Sequence, residues 1–70
     1  MKLDWDGAGS TLTPRERQVV ESLSEGSSSA AIGTLLGISE NTVKFHLKGI
    51  FRKLHAKNRT QVLTRLAPRE

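Results

Sequence analysis

Apolar residues in this chain fall in four short bursts, each spaced three or four apart and each bracketed by residues that start or stop helices. The first burst is Val19, Val20 and Leu23. Ahead of it Thr13 is placed to cap a helix, Pro14 suits the first helical position, and Glu16 completes a capping box; Gly26 stops it. After a polar break at Ser27, Ser28 and Ser29, one of the last two caps a second helix whose stripe reads Ile32, Leu35, Leu36, ending at Gly37. Ser39 then caps a third helix, the longest, over Glu40 to Leu54. Its apolar members Val43, Leu47, Ile50, Phe51 and Leu54 cluster in a stripe about 100° wide, which is the core face. A break at His55 to Lys57 leads to a fourth helix, capped by Asn58, bearing Val62, Leu63 and Leu66 and closed by Pro68.

Residues 1–11 carry Gly, Asp and Ser without periodicity and read as a flexible linker or arm, with Trp5 its odd member. The folded unit is then 12–67, with 68–70 a tail. Strand alternation and repeats are absent, so the expected fold is all-α: a four-helix bundle with a central helix-turn-helix and no wing. Gly37, Ile38 and Ser39 form the turn, with Ile38 plugging the angle and Gly33 allowing close approach of the third helix.

The outer face of the third helix gives this fold its chemistry. With Val43 as zero, Lys44 lies near about 100°, Lys48 near 140°, Asn41 near 160°, Arg52 near 180° and Phe45 near 200°, away from a core stripe centred at about 25°. Lysine and arginine can pair with guanine edges or phosphates, asparagine with adenine, and Phe45 with a thymine methyl unless it is a lone surface hydrophobe. The charge distribution points the same way. The chain carries +4 overall, but Met1 to Ser39 is net acidic, whereas Glu40 to Ala67 holds seven bases against Glu40 alone. A basic half favours a polyanionic partner, with nucleic acid foremost.

Other chemistry is poorly represented. Cysteine is absent, which removes disulfides and thiolate sites. No nucleophile–base pair, carboxylate pair or phosphate-cradling glycine loop appears, so an enzyme is not expected. His46 and His55 lack a third ligand at metal spacing, and no cofactor is expected. No apolar run approaches the roughly 18 residues of a membrane span, and the acidic start does not read as a signal peptide.

From Leu12 to Ala67 the chain resembles the LuxR-type helix-turn-helix family. The resemblance is carried by Leu12-Thr13-Pro14-Arg15-Glu16-Arg17, Gly26, Ile32, Leu36-Gly37-Ile38-Ser39-Glu40-Asn41-Thr42-Val43-Lys44-Phe45-His46-Leu47, Lys53-Leu54 and Asn58-Arg59-Thr60. It implies a third helix read into the major groove of double-stranded DNA and a fourth used for dimerisation. By position, base edges fall to Lys44, Phe45 and Lys48, and phosphates to Thr42, Arg59 and members of the set Ser39, Asn41 and Arg52. Val62, Leu63 and Leu66 serve either the core or a homodimer that is weak when free. RNA polymerase and a cytoplasmic, nucleoid-associated setting are further implied, and the chain is expected to be either the output domain behind an N-terminal sensor or receiver or a free-standing regulator. The chain departs from the family pattern at Ala31, His55 and Pro68, the last shortening the fourth helix. The rival readings are a promoter-binding domain like region 4 of a sigma factor and a protein-interaction bundle.

Overall fold

The computed structural model describes residues 3–68. It contains α1 (Pro14–Ser24), α2 (Ser29–Leu36), α3 (Glu40–Leu54) and α4 (Arg59–Leu66), and among the described residues no strand and hence no wing. Each helix begins where a side chain can take an otherwise unpaired N–H of the first turn. Thr13 Oγ1 accepts from the Glu16 N–H at 3.1 Å while Glu16 Oε1 accepts from the Thr13 N–H at 2.8 Å, a complete capping box. Ser28, rather than Ser29, caps α2. Ser39 and Asn58 cap α3 and α4 as the sequence predicts. At the far end of α3, His55 takes the left-handed conformation (φ 53°) that glycine would adopt more cheaply. Arg65 donates to its carbonyl at 3.0 Å, tying that strained cap to α4.

The core is filled from every helix. Val19, Val20, Ile32, Val43, Ile50, Val62 and Leu66 are fully buried, with Leu23, Leu47 and Leu54 nearly so and Phe51 half-buried against them. Three expectations are corrected here. The inner face of α2 is Ser29, Ile32 and Gly33, with Leu36 half-buried, while Leu35 is 68% exposed. Positions 29, 32, 33 and 36 share one side of a helix, and Leu35 lies about 100° round from that line. Gly33 sets this rotation: a Cβ there would meet the Ile38 carbonyl oxygen at 2.7 Å, so α2 turns its side-chain-free position to the turn backbone.

The second correction concerns residues 1–11. The part within the described residues is not an arm but a series of turns packed on the bundle. Leu3 is buried in the core, Trp5 lies against it, and the Asp4 N–H donates to the Leu66 carbonyl at 2.8 Å. Asp4 accepts from the Gly7 N–H at 2.9 Å, closing the first turn, and the Arg17 guanidinium sits 5.3 Å from the centre of the Trp5 ring. The physical reason is that a short α4 leaves its last carbonyls and the side of Leu66 uncovered, and this segment supplies both a donor and apolar surface. The third correction follows. Of the core and dimer roles open to Val62, Leu63 and Leu66, Val62 and Leu66 take the core alone, fully buried within their own chain, and Leu63 is half-buried.

Candidate nucleic-acid interface

Helix α3 has two distinct sides. Val43, Leu47, Ile50 and Leu54 are sunk in the core, so their burial sets which side of the helix faces outward. Asn41, Lys44, Phe45, Lys48 and Arg52 are consequently all exposed on the opposite side, as one continuous face. Ile38, half-buried against the core, holds the angle at which α2 meets α3.

The electrostatics of the face favour an anion. Lys44 reaches Glu40 at 3.5 Å one turn away, but both side chains are at least half exposed. Such a pair contributes at most about 1 kcal/mol and is easily exchanged for a phosphate. Among the described residues, no carboxylate pairs with Lys48 or Arg52. Phe45 is 73% exposed, its ring edge-on to His46 with centroids 6.0 Å apart. An aromatic left this open in water gains by being covered. Phe45, His46, Lys48, Gly49 and Arg52 line a shallow open cleft of about 210 Å³ beside this face, with Glu16 of α1 in its wall.

At the start of α3 the expected phosphate ligands Ser39 and Thr42 are joined, hydroxyl to hydroxyl, at 2.9 Å. Ser39 Oγ also accepts the Thr42 N–H at 3.1 Å, so both side chains are held at the helix N-terminus, where the partial positive charge favours an anion. Arg59 is employed differently. Its guanidinium donates to the Ser27 carbonyl at 3.0 Å and to Ser29 Oγ at 2.6 Å, stapling the start of α4 to the connection that begins α2.

Sequence reasoning missed that staple and one further tie. Lys53 Nζ donates to Glu16 Oε1 at 2.7 Å, the same oxygen that accepts the Thr13 N–H. Burial pushes the Glu16 carboxyl up, but the Lys53 hydrogen bond, the Thr13 N–H, the lysine charge and the Thr13 hydroxyl outweigh it, so its pKa lies below the ordinary glutamate value. The capping box made Glu16 visible in the sequence; its partner 37 residues away left no local signal.

Among the described residues, no group of three His, Asp or Glu side chains is arranged to hold a metal, and no helix is long and apolar enough to cross a membrane.

Comparison with known proteins bears on this arrangement. The family model described as bacterial regulatory proteins, luxR family, matches residues 10–67. The regulatory protein SdiA of Escherichia coli is 48% identical over 48 residues, 69% of this chain and 20% of that protein. The probable csgAB operon transcriptional regulatory protein of Salmonella typhimurium is 47% identical over 53 residues, covering 76% of this chain and 24% of its own length. The nitrate/nitrite response regulator protein NarP of Escherichia coli is 44% identical over 50 residues, 71% of this chain and 23% of that protein. The chain thus spans about a fifth to a quarter of the length of these relatives.

Proposed function

The chain belongs to the luxR family of bacterial regulatory proteins, and from that membership we propose that it binds double-stranded DNA as the output domain of a transcriptional regulator. The observation that carries the reading is the outward face of α3, where Asn41, Lys44, Phe45, Lys48 and Arg52 lie together opposite a fully buried stripe. Lys44, Phe45 and Lys48 contact base edges in the major groove, and Ser39, Asn41, Thr42 and Arg52 contact the phosphates that flank them. Arg59, expected among the phosphate ligands, organises the start of α2 instead, since two of its guanidinium nitrogens are already bonded within the chain. Binding rests on counterion release for affinity and on a few base pairs for sequence.

Specificity from one helix is modest, and two copies on a near-palindrome about one helical turn apart raise it. The contact between copies is confined to the exposed side of α4 and to Leu63, because Val62 and Leu66 face inward. Pairing is therefore weak without DNA. The relatives are several times longer, and NarP is by name a response regulator. An upstream sensor or receiver segment, contact with RNA polymerase and a place on the nucleoid in the cytoplasm follow from that kinship as parts of the same proposal.

Selection of bound sequences from a random DNA pool tests the reading. Enrichment of a near-palindrome is the expected result. Salt-sensitive binding without enrichment assigns sequence choice to a missing segment, and no binding at all favours the protein-interaction bundle.

A further inference from the structure

We propose that Glu16 is a positioning residue for DNA recognition, a clamp on the back of α3 that fixes how the helix presents its basic face and keeps Lys53 off the phosphates. The inference rests on the DNA-binding reading above and extends it to a residue on a different helix.

Three observations converge on this carboxylate. It is almost buried, 6% exposed, although it stands in the first turn of α1 after the exposed Pro14 and Arg15. One oxygen, Oε1, gathers two donors, the Thr13 N–H at 2.8 Å and the Lys53 ammonium at 2.7 Å. The other, Oε2, faces Gly49, where an added Cβ would come to 3.1 Å. Gly49 and Lys53 are one turn apart on α3, so a single rigid group touches that helix at two successive turns. A glycine in the middle of a helix costs about 0.8–1 kcal/mol relative to alanine. Here the missing side chain admits the carboxylate.

The position matters because of what lies next door. Lys48 precedes Gly49 and Arg52 precedes Lys53, so each clamped position is adjacent to a member of the DNA-facing set. A turn of α3 about its own axis moves both basic side chains relative to the groove. Core packing alone limits such a turn, but Phe51 is only half-buried and the cleft beside Gly49 is open. The clamp closes that freedom. It also settles which cations meet DNA: Lys53 is one-third exposed and would reach a phosphate if released, adding affinity that carries no sequence information.

The test compares the full chain with Glu16→Gln, Lys53→Gln and Lys53→Arg, each checked for folding by circular dichroism and melting. Affinities for the selected site and for unrelated DNA are measured across a salt series. Glutamine suits the capping box as well as glutamate, so Glu16→Gln preserves the start of α1. The expected result for Glu16→Gln is a preference for the selected site reduced about tenfold, the order of one misplaced base contact. Its salt dependence on unrelated DNA should steepen by up to about 0.9 in slope, one added phosphate contact. Lys53→Gln should lose preference without steepening, and Lys53→Arg should restore preference toward that of the parent chain. The proposal is overturned if Glu16→Gln keeps both preference and slope, or loses affinity equally on all DNA with unchanged slope, which is the signature of a merely structural acid. Failure of the unmodified chain to bind any DNA would instead sink the underlying DNA-binding reading.

Discussion

At the scale of single residues, α3 separates side chains exposed on its outer face from side chains that hold the helix in the core. Lys48 lies midway along the face, unpaired with any carboxylate among the described residues, and sits between Phe45 and Arg52. If it pairs with a base, Lys48→Ala costs about 1–3 kcal/mol at the selected site and relaxes preference at one position. Equal weakening on all sequences, measured by competition with substituted sites, would make it a phosphate contact. Glu16 permits a prediction in pH. Its carboxyl is held below the ordinary value of 4.5, so the folded state binds its proton less readily than the unfolded chain. The stabilisation is therefore fully present above that ordinary value and is lost as the pH falls through the lowered one. Melting temperatures between about pH 6 and pH 3 should fall more for the parent chain than for Glu16→Gln, which carries no titrating group there. Equal falls would show that other acids carry the effect.

At the scale of elements, the caps of α1, α3 and α4 and the α3 stripe were readable, and the α2 cap was narrowed to two serines, because each is a local pattern whose partners lie three or four residues apart. The α2 face was not. Eight residues hold only two turns, so Ile32, Leu35 and Leu36 fit a helical stripe as well as the true line of Ser29, Ile32, Gly33 and Leu36. The deciding fact was the approach of the turn backbone to Gly33, a tertiary contact. The consequence is measurable. Ile32→Ala, at a fully buried site, should cost about 2–5 kcal/mol, whereas Leu35→Gln, at a 68% exposed one, should stay within about 0.5 kcal/mol. Denaturant melts of the two variants decide it; comparable losses would place Leu35 in the core after all. The exposed basic face was legible for the same reason as the stripe, since it is simply the other side of a 15-residue helix. Arg59 and Lys53 were not, because their partners lie 30 to 37 residues away.

At the scale of the whole molecule, the two ends of the described chain meet. Leu3 enters the core, the Asp4 N–H donates to the Leu66 carbonyl, and Leu66 also lies close to Gly9, where a Cβ would come to 3.1 Å from its Cδ2. Composition gave no sign of this, because a segment of Gly, Asp and Ser reads as a loop whether or not it docks. A small domain has little surface to bury, and one that already uses Val62 and Leu66 inside has less left for a second copy. The intact chain should therefore sediment as a monomer at tens of micromolar and pair only when two half-sites bring copies together. Removing residues 1–9 uncovers the Leu66 end of α4, and two outcomes should follow together: a lower melting temperature, and sedimentation that becomes concentration-dependent as the bared apolar surface finds itself in another copy. If the shortened chain melts as the parent does and remains monomeric, the turns at residues 3–9 lie on the bundle without supporting it.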